Sequence, residues 1–165
     1  MMKKRLDIIS LNLDDYDLSS VRTLRGFLEG STSIKEFTMS KPQVLQYDDM
    51  SYFFKGCTSL ESVCIKNVSM PKLTTVAYMF DGCPNLKNVE LEIKNTASLI
   101  DCERAFRNCE SIVEVDLSSI DMHNVLDLFE CFSGCISLSN VKLPSNIRED
   151  VSRIGMFDYC PNYIV

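Results

Sequence analysis

A phenylalanine followed three residues later by a cysteine returns every 26 residues along most of this chain. The pairs are Phe54/Cys57, Phe80/Cys83, Phe106/Cys109 and Phe132/Cys135, with Phe157/Cys160 one residue early and a diverged copy at Leu28/Ser31. Self-similarity at a fixed period of this length restricts the chain to a solenoid, in which each unit stacks only on its neighbours. No such unit buries its apolar face alone, so residues 1–165 are read as a single stacked domain. Within it, 1–20 is expected to cap one end, 21–160 to hold the repeats, and 161–165 to be a truncated last repeat.

Each unit divides in two. Tyr47, Met50 and Phe54 are apolar at i, i+3 and i+7, the spacing of one helical face. Leu73, Val76, Phe80; Leu99, Cys102, Phe106; and Val125, Leu128, Phe132 repeat it. Two residues after each aromatic position stands Gly30, Gly56, Gly82, Asn108 or Gly134, the residue types that end a helix in the left-handed conformation. Then the period changes to two. Val63 and Ile65 recur as Val89 and Leu91, Val115 and Leu117, Val141 and Leu143, the alternation of a half-buried strand. The expected architecture is an α/β solenoid of about six 26-residue units, with a parallel sheet on one face and short helices on the other. Six strands at ~4.8 Å give a sheet roughly 24 Å long.

The string Leu-x-x-Val-x-Leu resembles the leucine-rich repeat. The longer run from Met79 to Leu91, with Phe80, Gly82, Cys83, Leu86 and Val89 inside it, resembles the BspA-like leucine-rich repeat of bacterial surface proteins and lipoproteins. Thr58-Ser59-Leu60, Glu110-Ser111-Ile112 and Ile136-Ser137-Leu138 match the middle of that unit, and Asp116-Leu117-Ser118-Ser119-Ile120-Asp121 resembles its continuation. The resemblance implies a leucine-rich-repeat solenoid used for binding, often in adhesion. Such relatives usually carry export signals and anchors. Here Asp7, Asp14 and Asp15 interrupt any apolar stretch after the basic start, which reads against a signal peptide. No run is long and apolar enough for a membrane span. On that reading the chain is cytoplasmic and its eight cysteines are thiols.

The chemistry-bearing residues point away from catalysis. Cys57, Cys83, Cys109, Cys135 and Cys160 share one repeat position, and a small buried thiol suits a tight interior corner. The paired Cys-x-x-Cys spacing of zinc sites is missing, so no metal is expected. His123 is the only histidine, in a loop with no partner pattern, and the glycines serve as turns rather than a phosphate loop. No enzyme activity and no cofactor are expected. The net charge of −6 disfavours direct nucleic-acid binding and is compatible with a basic protein partner.

The informative surface is the outward side of the strands. Glu61, Cys64, Lys87, Glu90, Glu114, Asp116, Asn140 and Lys142 are the candidate binding residues. Glu61, Glu90, Glu114 and Asp116 are expected to gather into an acidic strip, and Cys64 to be the exposed thiol. Asp48, Asp49, Asp101 and Asp127 read as acids at helix starts. The function expected is a non-enzymatic protein-binding module. Two alternatives are an intracellular inhibitor of a nucleic-acid-handling protein, such as a phage-encoded anti-defence or anti-CRISPR protein, and a surface or adhesion fragment. The apolar last repeat also suggests self-association through that end.

Overall fold

The computed structural model describes residues 8–21 and 23–164; the first seven residues of the expected cap, and Val165, lie outside the described residues. The strand face has six rungs, one per unit. They are β1 (Ser10–Asn12), β2 (Glu36–Met39), β4 (Ser62–Ser69), β5 (Asn88–Lys94), β6 (Glu114–Asp116) and β7 (Asn140–Lys142). The short β3 (Gln43–Val44) continues the β2 coil and pairs with the far end of β4. All pairings are parallel, and the inward rungs keep the 26-residue register: Leu11 on Phe37, Phe37 on Val63, Val63 on Val89, and Val115 on Val141. Past a register shift after Ile65 the offset falls to 25, with Gln43 on Val68 and Val68 on Ile93.

The rungs do not form the one sheet expected. β1, β2, β4 and β5 belong to one sheet and β6 and β7 to another, with no pairing between β5 and β6. The coil type changes at this step. β4 and β5 run on to Ser69 and Lys94, but β6 stops at Asp116. There the Asp116 carboxylate accepts the Ser118 N–H at 3.0 Å and its hydroxyl at 2.6 Å, and the chain turns early.

The second correction concerns the other face. No α-helix occurs among the described residues; each expected helix is a chain of tight turns. The alternation of left-handed residues explains this. One left-handed column is the glycine stop already read: Gly30, Gly56, Gly82, Asn108, Gly134 and Tyr159. A second stands four residues earlier in most coils: Gly26, Tyr52, Tyr78, Arg104, Glu130 and Gly155. A helix closes every N–H four residues back in its own chain. Here alternate N–H groups do different things. Lys55 and Met79 close turns onto Tyr52 and Val76, while Tyr52, Phe54 and Gly56 donate sideways to Ala77, Met79 and Asp81 of the next coil at 2.8–3.0 Å. The i, i+3, i+7 spacing therefore marks an inward column and not helical hydrogen bonding.

Three of the four supposed helix-start acids, all but Asp48, become part of a ladder as well. Asp49, Thr75, Asp101 and Asp127 bridge coil to coil, ending on Ser152. Each of those four side chains accepts the N–H two residues on, for example Asp49 from Ser51 at 2.7 Å and Asp127 from Phe129 at 2.7 Å.

The interior follows the sequence closely. Phe54, Phe80, Phe106 and Phe132 stack ring on ring at 5.0–5.2 Å, and Phe157 continues the column at 5.7 Å. The cysteine column is buried beside it. Cys83, Cys109 and Cys135 donate their thiol protons to the carbonyls of Phe54, Phe80 and Phe106 at 3.0–3.2 Å, and Cys57 to that of Leu28. That carbonyl belongs to the aromatic position one coil back, which is why the two residue types recur together. Burial raises the Cys57 and Cys135 thiols to about 12.

Candidate functional site

The strand face sets its outward side chains by register. Thr38, Cys64 and Glu90 form one column and Glu36, Ser62 and Asn88 the next; Asp116 with Lys142 and Glu114 with Asn140 continue them at the 26-residue spacing beyond the unpaired step between β5 and β6. The candidate residues from sequence thus fall on one face, with Glu61 and Lys87 on the adjoining column beneath it. Glu90, Glu114, Asp116, Asn140 and Lys142 are exposed, and Glu61 and Cys64 half-buried.

They do not make an acidic strip. Glu61 pairs with Lys35 at 3.4 Å, Asp116 with Lys142 at 3.1 Å, and Glu90 with Lys66. Neighbouring coils carry lysines in reach of these acids, so the column charges alternate instead of repelling. The Ser118 hydroxyl and N–H, followed by Lys142, hold Asp116 down at about 2. Lys66 holds Glu90 below the usual carboxylate range. Glu92, which the sequence reading passed over, and Glu114 make no ion pair among the described residues.

Cys64 is the least buried of the eight thiols. Its Sγ lies 3.8 Å from the Glu90 carboxylate, and partial burial, then the Glu90 charge, raise its pKa. Proximity to an acid makes it a poor thiolate. His123 is a loop residue with Nδ1 2.7 Å from Asp121. No group of three or more His, Cys, Asp or Glu suited to a metal occurs among the described residues. Nor is any helix there long and apolar enough to cross a membrane.

The break between β5 and β6 is the largest departure from regularity on this face. Elsewhere a rung is made by two successive N–H groups donating to one carbonyl: Glu61 and Ser62 to Lys35, Lys87 and Asn88 to Glu61, Ser139 and Asn140 to Val113. The corresponding bonds from Val113 and Glu114 to Lys87 are missing. Residues Asn88–Lys94 and Glu114–Asp116 make no strand pairing with one another, whereas one coil on Leu117 N–H donates to the Lys142 carbonyl at 2.8 Å. Across the same two coils the turn face stays joined, with Phe80 N–H on the Ala105 carbonyl and Gly82 N–H on that of Arg107. The opening is a wedge, closed at the turns and open at the strands. Its mouth is a groove of about 380 Å³ lined by Lys66, Val89, Glu92, Asp116, Ser118 and Ser119. A second groove of about 110 Å³, past Glu114 and Asn140, adjoins it. Val89 and Leu91, expected inside, are only half-buried because the rung that would cover them has turned away. An apolar cavity of about 40 Å³ lies in the core between the same coils, lined by Leu91, Ile93, Leu117 and Phe106 among others.

A second feature lies on the turn face and had no signal in the repeat pattern. The left-handed Tyr52 and Tyr78 stack with ring centroids 4.9 Å apart, 5° from parallel. Arg25 sits 4.7 Å over the first ring, Arg104 5.6 Å from the second, and Lys55 5.0 Å from both. Arg104 also pairs with Glu130 at 2.7 Å, and Arg107 grips the buried Asp81 with two bonds at 2.9 and 3.2 Å. Left-handed backbone at a non-glycine residue costs ~1–2 kcal/mol, and these stacked cation–π and ionic contacts are of the size needed to offset it.

A parallel-stranded stack with one inward leucine-type ladder per coil is a leucine-rich-repeat solenoid. The sequence model for the BspA type leucine rich repeat region matches six copies over residues 48–163, and the chain belongs to that family. Among solved structures it is similar to a leucine-rich repeat protein from Bacteroides ovatus ATCC 8483, with TM-score 0.61, 22% identity, and coverage of 94% of this chain and 36% of that one. It thus spans about a third of that protein's length. Weaker likenesses are a leucine rich cell surface protein from Faecalibacterium prausnitzii A2-165 (TM-score 0.34, 19% identity, 85% and 32% covered) and the T. pallidum leucine rich repeat protein (TM-score 0.37, 18% identity, 84% and 72% covered). No curated protein matches the sequence significantly. The Bacteroides likeness supports the solenoid alone.

Proposed function

We propose that this chain is a non-enzymatic binding module that docks a protein on its strand face. The observation that carries the reading is the contrast between the two faces. Turn-face cations are spent on acids and on the stacked tyrosines, whereas on the strand face Lys35, Lys66 and Lys142 pair with Glu61, Glu90 and Asp116 but Lys87, Glu92 and Glu114 are left exposed with no ion pair among the described residues. Rigid presentation of mixed charge favours a specific protein contact, because little side-chain freedom is lost on binding. The paired lysines and acids call for a partner with its own mixed charges; a uniformly basic one fits only near Glu92 and Glu114.

The test uses the immobilised chain and partners captured from a cell extract and identified by mass. Glu61→Lys with Lys142→Glu should abolish capture of the principal partner, and Glu29→Lys with Arg153→Glu on the turn face should leave it intact. Capture lost only in the turn-face variant would overturn the reading.

A further inference from the structure

We infer that the wedge between β5 and β6 seats an extended, basic peptide segment of a partner protein. That segment pairs with the open strand edges and sets Lys or Arg side chains against Glu92 and Glu114. The inference rests on the strand face being the binding face and gives it a place and a partner chemistry.

Three observations meet there. The first is backbone. The Lys87 carbonyl and the Val113 and Glu114 N–H groups lack the backbone partners that their equivalents have in other coils, and β5 and β6 do not pair. Open edges of this kind are what a strand adds to when a peptide extends a sheet. The Ser119 hydroxyl donates across the mouth to the Leu91 carbonyl at 2.9 Å, a side-chain contact that an incoming amide can replace.

The second is surface. Val89 and Leu91 are half-buried beside the groove and Val113 is 53% exposed, so alternate side chains of an extended segment meet apolar surface. The groove of about 380 Å³ falls in the size range of sites that hold small ligands or short peptide segments.

The third is charge. Lys66 is held by Glu90 and Lys142 by Asp116. Glu92, which acts on Lys66 only at longer range, and Glu114 make no ion pair among the described residues, and they stand on either side of the mouth. A segment with cationic residues on its outward positions satisfies both; an acidic one is repelled.

The probe is the capped pentapeptide Val-Arg-Val-Arg-Val, titrated into the labelled protein and followed by amide NMR shifts. Its counterparts are Val-Glu-Val-Glu-Val and the same arginine peptide methylated on alternate backbone nitrogens. Expected are saturable shifts centred on Leu91, Val113 and Glu114, no binding of the glutamate peptide, and at least tenfold weaker binding of the methylated one. The conservative double variant Glu92→Gln with Glu114→Gln should weaken the arginine peptide at least tenfold while its spectrum stays folded. Equal binding of both charge types, no effect of methylation, shifts mapping away from the wedge, or no binding at millimolar peptide would each overturn the inference. So would shifts at the wedge that depend on protein concentration alone, which would make a second copy of the chain the occupant. If the peptide fails but Glu61→Lys with Lys142→Glu still abolishes capture, the strand-face reading stands and only the wedge falls.

Discussion

Phe106→Ala tests whether the aromatic column holds the stack together. Phe106 is 3% exposed and lies between Phe80 at 5.0 Å and Phe132 at 5.2 Å. Phe→Ala in a core costs ~3–5 kcal/mol from lost burial and the cavity left behind. Two aromatic contacts go at once, each worth ~0.5–1.5 kcal/mol beyond area. Turn-face hydrogen bonds to both neighbouring coils, Phe80 N–H to the Ala105 carbonyl and Phe106 N–H to that of Cys131, resist collapse, and the site already borders a void of about 40 Å³. The upper half of the range is therefore expected, about 4–5 kcal/mol. With a urea slope of ~2 kcal/mol/M this moves the midpoint down by about 2 M, read by far-UV circular dichroism. Phe157→Ala is the control. That ring is half-buried, stacking on Phe132 at 5.7 Å and on Tyr163, and should cost less than half as much. A Phe106→Ala shift under about 0.5 M, or one no larger than that of Phe157→Ala, would refute the idea that coils are coupled through stacked rings.

Other outcomes follow from the same geometry. Gly134→Ala should destabilise more than Gly30→Ala in thermal melts: both take on left-handed strain, but an added methyl at Gly134 collides with the Asn108 side chain while that at Gly30 meets open space. Asn108→Gly should then rescue most of the difference. Stability should fall as pH rises above 9, because the unfolded thiols ionise near 9.0 while Cys57 and Cys135 stay protonated to about 12. Each such thiol favours the folded state fully below pH 9 and loses that contribution between 9 and 12, at ~1.4 kcal/mol per pH unit. Urea melts at pH 8 and 10 check the sign, and a variant with Cys57 and Cys135 both changed to Ala should show a shallower slope. Thr96→Val should cost ~1–3 kcal/mol in urea melts, since the buried hydroxyl accepts from the Asp121 N–H at 2.8 Å and donates to its carbonyl at 3.3 Å.

Columns were legible in the sequence because stacking copies a residue's environment at a fixed interval. Phe, Cys, Gly and the inward Val and Leu positions could all be assigned to faces from spacing alone. What the spacing could not report was the direction of the hydrogen bonds. Apolar residues at i, i+3 and i+7 serve a helix and a turn chain equally, and only the second left-handed column separates them. Tyr52, Tyr78, Arg104 and Glu130 hid that column, because no sequence rule marks such residues as left-handed. The sheet break was hidden for a related reason: Val89, Leu91, Val115 and Leu117 keep the pattern, and the signal lay in Asp116 and Ser118, whose turn ends β6 early. Of the candidate binding residues, position was readable and pairing was not, since Lys66 reaches Glu90 from a different column.

Alternate amides on the turn face point by turns along their own chain and across to the next coil. One residue inserted or deleted there would exchange the two roles for every amide downstream, breaking both sets of bonds together. Length changes must therefore be absorbed elsewhere. The last coil shows where: β7 stands 26 residues after β6, yet Ser152 meets Asp127 at a distance of 25, so the missing residue has been taken out between 143 and 151. In this architecture the connecting loops are free to drift in length, and the turn segments are metrically frozen.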